Sequence, residues 1–289
     1  MIQVARDADF TTTAAAAVVV KASPAGLMAA AGMKPDRWQW ELTTPLPHRC
    51  MAICARQSGK STALSATAVW YADRYPSVTV AVAAPVLRQS SNLLRRCRQF
   101  VPYVGSRLVG DAATSLELDN GSRIIALPGD SPNTVRSETV HCLIADEAAW
   151  ISDELFNVIT PMIIQTGGPI LIASTPGGPA GFMYNLWTDA EDTDWVRIKA
   201  KASEIPRYDQ AELAKAKRRM GKSYFTEFEC EWSDVEGQVW SPEEIAAILG
   251  RKYTPEPGET EPGAAVPVRG VLNLDRVHAA REQARRTPA

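Results

Sequence analysis

Nearly continuous apolar runs, each short and rich in β-branched residues, recur along the chain. They occupy residues 51–54, 77–85, 122–129, 140–147, 169–176 and 195–202. Runs of this kind are typical of strands that are buried on both faces of a parallel sheet. Between them, residues 61–75 and 88–100 combine helix-forming composition with helical apolar spacing. The alternation of strand and helix predicts a doubly wound α/β fold with a mostly parallel central sheet.

Segments with other patterns flank this predicted core. Residues 209–231 carry helix formers and many charges, which predicts a small helical lid. Residues 254–268 contain four prolines and three glutamates, which is typical of an extended linker or a disordered tail. We expect four parts: a loose or helical N-terminal extension (1–33), the core (34–190), a lid subdomain (191–240), and a linker with a tail (241–289).

Composition excludes several classes of protein. The 289 residues are 45% hydrophobic and 22% charged, as in ordinary globular proteins, and the net charge of −2 does not by itself indicate a nucleic-acid partner. The five cysteines lack paired C-x-x-C spacing, which argues against a disulfide framework or a zinc site and favours a reducing cytoplasm. The apolar run near the N-terminus follows Asp7 and Asp9 and is interrupted by Lys21, so we expect neither a secretory signal nor a membrane partner.

The stretch ICARQSGKSTAL (53–64) contains the end of a phosphate-binding loop, G-x-x-x-x-G-K-[ST], although Cys54 replaces its first glycine. A predicted strand precedes the loop and a predicted helix follows it. Backbone amides would cradle the β-phosphate, Lys60 would neutralise β and γ oxygens, and Ser61 would bind Mg²⁺. The nucleotide-binding residues would be Gln57, Ser58, Gly59, Lys60, Ser61 and Thr62. The alternative is an ordinary strand–turn–helix junction.

A second motif, CLIADEAAW (142–150), supports the nucleotide interpretation. It puts adjacent acids after a predicted strand, so that Asp146 would hold Mg²⁺ through water and Glu147 would orient the attacking water. The alternative is that these acids merely begin a loop or cap a helix. Two motifs in the expected order favour an ATP site more strongly than either motif alone.

The segments ARQSGKST, NGSRIIALPGDSPNTVRSETVHCLIADEAAW and LIASTPGG together resemble the ATPase domain of the large terminase subunit of tailed bacteriophages. The resemblance runs from about Lys34 to about Trp240. It implies a P-loop NTPase of the ASCE, RecA-like class that uses ATP and Mg²⁺ to package double-stranded DNA into a procapsid. The implied partners are a portal protein, a small terminase subunit and further copies of this chain in a ring. The implied location is the cytoplasm of an infected or lysogenic bacterial host.

The resemblance also implies roles for residues outside the two nucleotide motifs. Arg56 matches an arginine within the phosphate-binding loop, and Gln39 matches a glutamine that reads adenine, for which an amide has both a donor and an acceptor. Ser174 and Thr175 match a coupling motif whose hydroxyls sense loss of the γ-phosphate. The alternatives are a surface glutamine between two tryptophans and a plain Thr-Pro-Gly-Gly turn.

Arg136 lies eleven residues before Glu147, where related motors place an arginine that reaches a neighbouring subunit's γ-phosphate. An arginine supplied in trans stabilises transition-state charge, which would tie hydrolysis to ring assembly. The family often has glycine after this arginine, but Ser137 stands here, which puts the flexibility of the loop in doubt. The alternative is an ordinary surface arginine.

A local surplus of arginine is the candidate DNA surface. Six arginines and no acid lie between Arg74 and Gly110, among them Arg95, Arg96 and Arg98. Such a patch suits sequence-independent contact with phosphates, although a solvated helix face is the alternative. Residues 197–222, in the predicted lid, are also basic.

Large terminases usually continue into a nuclease domain in which several carboxylates hold two metal ions. Fewer than fifty residues follow Trp240, and Asp275 in VRGVLNLDR is the only acid there that faintly matches that domain's first strand. We therefore expect no DNA cleavage by this chain alone and a nuclease that is separately encoded or lost.

Two other functions remain open. VAAPVLRQSS (82–91) also resembles helicase cores, but a helicase needs a second RecA-like domain. The chain could instead be an inactive terminase relic or adaptor that binds without turnover.

Overall fold

The computed structural model describes residues 22–127 and 138–232. The α-helices are α1 (Pro24–Ala30), α2 (Arg37–Thr43), α3 (Lys60–Arg74), α4 (Leu87–Phe100), α5 (Asp153–Ile164), α6 (Phe182–Thr188), α7 (Gln210–Met220) and α8 (Lys222–Glu229). The strands are β1 (Arg49–Cys54), β2 (Thr79–Ala83), β3 (Leu108–Asp111), β4 (Ser115–Leu118), β5 (Arg123–Leu127), β6 (Cys142–Asp146), β7 (Ile170–Ser174) and β8 (Val196–Ala200). Short 3₁₀ helices cover Val101–Tyr103, Ala148–Trp150 and Ala202–Glu204.

All eight strands form one sheet in the order β3-β4-β5-β2-β6-β7-β1-β8. The six strands from β5 to β8 in this order pair in parallel, and β4 and β3 extend the sheet in antiparallel fashion. Every residue of β2, β6 and β7 is buried, as expected for strands covered by helices on both faces. The predicted α/β fold with a mostly parallel sheet is confirmed.

The six apolar runs all contain strands, but β3 and β4 were not predicted. Each has four residues, and their burial alternates along the strand because only one side faces the core. Short alternating segments lack the continuous apolar signal that identified the other strands. The antiparallel edge of the sheet was therefore missing from the sequence interpretation.

The end of the predicted N-terminal extension is a helix that belongs to the core. Ser23 caps α1, since its hydroxyl accepts a hydrogen bond from the Gly26 N–H at 3.1 Å. Leu27 and Met28 are almost completely buried in the same cluster as residues of α3 and the sheet. Residues 1–21 lie outside the described part of the chain.

The predicted lid region contains a strand as well as helices. β8 lies beyond residue 190, yet it pairs with β1 and forms an edge of the main sheet. Helices α7 and α8 follow it, and Leu213 is the single buried residue of α7. The division at residue 190 stays a prediction, and residues 233–289, with the predicted linker, tail and Asp275, lie outside the described part.

Helix α3 packs against α1 and α4 and against β2, β5 and β6, and α4 also packs against β2 and β5. Within the described ranges, no helix is both long and apolar enough to cross a membrane. The elements from α1 to α8 belong to one compact unit, while residues 177–180 and Trp232 are assigned to a second.

Candidate nucleotide site

The loop between β1 and α3 lies at the carboxyl end of a central strand. Cys54 is the last residue of β1, pairs with Ala200 of β8 and is fully buried. An extended strand residue needs no glycine, so the substitution at the first motif position is accommodated. Burial raises the pKa of the Cys54 thiol well above its ordinary value, which keeps the thiol neutral.

Gly59, in contrast, is required by the loop. Its φ of +92° is in the left-handed region, and a Cβ there would lie 2.8 Å from Nε2 of Gln39. Gln57 also has a positive φ, 60°, so the loop turns sharply before α3. This turn lets α3 begin at Lys60, with its N-terminus near the carboxyl end of β1.

The N-terminus of α3 has free hydrogen-bonding capacity. Its first-turn N–H groups, at Lys60, Ser61 and Thr62, donate to no other residue in ranges 22–127 and 138–232. The Ser58 hydroxyl is fully buried and also has no partner there. Because a helix N-terminus carries partial positive charge, this cradle fits the phosphates of a nucleotide.

Three parallel strands bring the charged groups of the site together. The neighbours β6, β7 and β1 end at one level, with Ser174 paired with Ile53 and Asp146 with Ala173. Lys60, only 5% exposed, has its Nζ 3.6 Å from Oε1 of Glu147. The Ser174 hydroxyl donates to the other oxygen, Oε2, at 3.3 Å.

Asp146 and Ser61 form an oxygen pair beside this cluster. The Ser61 hydroxyl donates to Oδ2 of Asp146 at 2.5 Å, and Asp146 is 8% exposed. Burial raises the pKa of Asp146, an effect that the hydrogen bond from Ser61 opposes. A divalent cation would supply the positive charge that an ionised, buried carboxylate needs. Hydroxyl and carboxylate oxygens are ligands that Mg²⁺ accepts, so the pair fits this ion.

Glu147 adopts a left-handed conformation, with φ of 52° and ψ of 44°. Such a conformation in a non-glycine residue costs on the order of 1–3 kcal/mol and is concentrated at functional sites. It turns the side chain away from that of Asp146, whose Oδ1 accepts the Glu147 N–H at 3.1 Å. One acid is therefore buried against Ser61, while the side chain of the other is one-third exposed beside Lys60.

The chain is similar to known proteins in sequence and in fold. The sequence profile of the family described as "Terminase large subunit, T4likevirus-type, N-terminal" matches residues 51–247. The chain belongs to this terminase large subunit family. The large terminase subunit of Escherichia phage T5 is 28% identical over 228 residues, which are 74% of this chain and 52% of that protein. The chain thus spans about half the length of this curated terminase.

Solved terminases share the P-loop NTPase fold of this chain. The ATPase domain of the Thermus phage P74-26 large terminase has a TM-score of 0.62 at 19% identity, covering 71% of this chain and 97% of that domain. The large terminase of a thermophilic bacteriophage, in complex with ADP, has a TM-score of 0.59 at 14% identity. That match covers 68% of this chain and 54% of the other protein.

Gln39, for which the terminase resemblance implies an adenine contact, is buried against the phosphate-binding loop. Its Oε1 accepts the Asp36 N–H at 2.8 Å, and its Nε2 donates to the Gly59 carbonyl at 3.2 Å. The amide retains a second N–H and a second lone pair, so it has capacity for a base. Its contact with adenine stays a prediction.

Arg56 contacts helix α8. The side-chain Nη1 of Arg56 lies 3.0 Å from Oε1 of Glu227, and the backbone N–H of Arg56 donates to the Glu227 carbonyl at 2.8 Å. The Tyr208 hydroxyl donates to the Arg56 carbonyl. The other carboxylate oxygen of Glu227 is buried without a partner among the described residues. Sequence reasoning missed Tyr208 and Glu227, since no local motif signals a contact over such a distance in the chain.

The remaining predicted residues lie in different surroundings. Thr175 is buried directly after Ser174, whereas Arg95 and Arg96 are exposed on α4. Arg98 is held by Asp111, with 2.5 Å between Nη2 and Oδ1, and by the Ala112 carbonyl at 2.6 Å. Its charge is therefore partly neutralised within the chain. Arg136 lies outside the described residues.

Proposed function

We propose that this chain is an Mg²⁺-dependent ATPase that acts as a motor subunit and translocates double-stranded DNA into a phage procapsid. The observation that supports this proposal best is the convergence of Lys60, Ser61, Asp146, Glu147 and Ser174 at one edge of the sheet in a terminase family member. The large terminase of the thermophilic bacteriophage was solved with ADP and with ATP-γ-S, which supports nucleotide binding by a chain of this fold.

Each residue has a distinct task in the proposed reaction. The first-turn N–H groups of α3 and the Lys60 ammonium bind the β- and γ-phosphates. Ser61 and Asp146 would hold Mg²⁺, which when bound would neutralise charge on the phosphate oxygens. Glu147 orients a water for attack on the γ-phosphate and accepts its proton. Ser174, hydrogen-bonded to Glu147, links this carboxylate to the end of β7 and to the coupling motif with Thr175.

Arg56 requires a side-chain movement in this proposal. Its side chain is 66% exposed and pairs with Glu227, so it must leave α8 to reach the γ-phosphate. A guanidinium turned toward the phosphate would add to the charge stabilisation that Lys60 provides.

Arg136 serves in this proposal as a finger that acts on the site of a neighbouring subunit in a ring. Removing such an arginine lowers the rate of hydrolysis about 10³-fold or more. We expect steady-state ATP hydrolysis per subunit to rise with protein concentration, to rise further with linear double-stranded DNA, and to be lost in Arg136→Ala. An equimolar mixture of Arg136→Ala and Glu147→Gln subunits should regain activity, because the Glu147→Gln subunit supplies the arginine to an intact site.

The mixing experiment also distinguishes a finger that acts in trans from one that acts in cis. A finger that acted in cis would leave both variants inactive in any mixture. Hydrolysis that is flat in concentration, indifferent to DNA and not restored by mixing would contradict the motor mechanism and favour an isolated ATPase or an adaptor.

The DNA-contacting surface in this proposal is the exposed face of α4 with Arg95 and Arg96. Since Arg98 is paired with Asp111, the proposal rests mainly on the other two. Each of Arg95→Ala and Arg96→Ala should weaken binding to duplexes of any sequence and lower the slope of log K against log salt by about one. Fluorescence anisotropy with a labelled duplex at several salt concentrations measures this. Arg37→Ala, which removes an exposed arginine paired with Glu41, is the control, and an equal loss there would exclude a local α4 surface.

The portal protein and the small terminase subunit remain proposed partners, and the cytoplasm of an infected or lysogenic bacterial host remains the proposed location. No specific observation favours the helicase-like function or the adaptor that binds without turnover.

A further inference from the structure

Arg207, which no motif singles out, contacts the phosphate-binding loop from outside. It lies between the 3₁₀ helix Ala202–Glu204 and α7. Its Nη2 donates to the Ser58 carbonyl at 2.6 Å. Its Nε and Nη2 both donate to Oδ2 of Asp36, at 3.1 and 2.5 Å. The guanidinium therefore bridges the loop and the start of α2.

These contacts belong to a closed ring of hydrogen bonds. Asp36 is the N-cap residue of α2, and its N–H donates to Oε1 of Gln39. Gln39 donates from Nε2 to the carbonyl of Gly59, the residue after Ser58. The ring thus runs from Arg207 through Asp36, Gln39, Gly59 and Ser58 back to Arg207. It joins segments that are 149 and 171 positions apart in the chain.

The ring acts on the rigid peptide units of the loop. The carbonyl of Ser58 and the N–H of Gly59 belong to one planar peptide unit, and the carbonyl of Gly59 and the N–H of Lys60 belong to the next. In a trans peptide the two groups point in opposite directions. Arg207 holds the Ser58 carbonyl and thereby directs the Gly59 N–H toward the phosphate side. The Gly59 carbonyl accepts from both Gln39 and the Ala63 N–H of α3, at 3.2 and 3.1 Å, so the helix itself also fixes the Lys60 N–H.

The contact with Asp36 holds the Arg207 guanidinium in one position. The Asp36 side chain is 8% exposed, while that of Arg207 is 49% exposed. Hydrogen bonds between a guanidinium and a carboxylate are charge-assisted and stronger than neutral ones. The largely buried carboxylate therefore fixes the position from which Arg207 reaches the Ser58 carbonyl.

We propose that Arg207 is a positioning residue for nucleotide binding, which, with Asp36, orients the Gly59 N–H group of the loop for the phosphates. This inference rests on the proposed ATPase function. If Arg207 has this role, phosphate binding depends on the segment that leads into α7. A movement of α7 would then change the position of the phosphate-binding loop.

The test is the dissociation constant of a fluorescent ATP analogue, measured with Mg²⁺, together with the steady-state kcat. Arg207→Ala should raise this constant about tenfold, the change that corresponds to loss of one hydrogen bond to a charged group. The kcat should change little, because pre-oriented N–H groups contribute to binding of substrate and transition state alike. Arg207→Lys, which retains the charge and a donor, should restore part of the affinity.

A double-mutant cycle separates the ring from general stability. Asp36→Asn should weaken binding as well, and Asp36→Asn combined with Arg207→Ala should be no worse than Arg207→Ala alone, because both changes break the same ring. Arg37→Ala, next to Asp36 but paired with exposed Glu41, should bind the analogue like the wild type.

The outcomes are distinct. Wild-type affinity in Arg207→Ala, additive effects in the cycle, or an equal loss in Arg37→Ala would overturn the role of Arg207 while the ATPase proposal stands. Failure of the wild-type chain to bind the analogue at all would overturn the ATPase proposal, and this inference with it.

Discussion

Glu147→Gln is expected to bind ATP with nearly wild-type affinity and to hydrolyse it about 10³-fold more slowly, within the usual range for loss of a general base. Glutamine has the same size and still accepts a hydrogen bond from Ser174, so the pocket keeps its shape. It lacks the negative charge that orients the attacking water and takes its proton. Phosphate release measured in single-turnover reactions, with binding of a labelled ATP measured in parallel, separates the two effects.

Glu154→Gln is the matched control for this prediction. Glu154 is exposed in the first turn of α5, so the same substitution there should leave both binding and hydrolysis unchanged. Equal hydrolysis by Glu147→Gln and the wild type would contradict the assignment of the base. If neither protein hydrolyses ATP, the adaptor that binds without turnover becomes the better account.

Lys60→Ala is expected to weaken ATP binding by about a hundredfold or more, the cost of truncating one member of a desolvated charge pair. The ammonium is 5% exposed and is held 3.6 Å from Glu147, at the N-terminus of α3, where the phosphates are proposed to lie. Without it, the negative charges of the γ-phosphate and of Glu147 would repel each other with no ammonium group between them. Isothermal titration calorimetry with Mg-ATP measures the loss.

Thermal unfolding provides the control for Lys60→Ala. A bound nucleotide stabilises the folded state in proportion to the logarithm of its excess over Kd, so millimolar Mg-ATP should raise the Tm of the wild type but not that of the variant. Lys34→Ala, at an exposed lysine, should retain the full shift. A variant that keeps the nucleotide-dependent shift would exclude Lys60 as a phosphate ligand.

Contacts between distant segments modify several interpretations of single residues. The sequence predicts that Arg98 contacts DNA together with Arg95 and Arg96, but Asp111 of β3 pairs with it. The strand that supplies this acid was itself not predicted, so its proximity to α4 was invisible in the sequence. Gln39 contacts Asp36 and Gly59, and Arg56 contacts Glu227. Gly59 and Glu227 are distant in the chain from the residues that they contact.

By itself, the sequence determined the parallel core and the order of its motifs. Continuous apolar runs identify buried strands because burial on both faces leaves no position for polar residues. The roles of the Gly-Lys-Ser turn and the adjacent acids could be predicted, because they depend on residues that are neighbours in the chain. The tertiary structure alone decided which side chains meet across the site, including the pairing of Lys60 with Glu147 and the bridge from Arg207 to Asp36 and Ser58. Local patterns specify secondary structure, whereas such contacts depend on how strands are ordered in the sheet and how loops return to its edge.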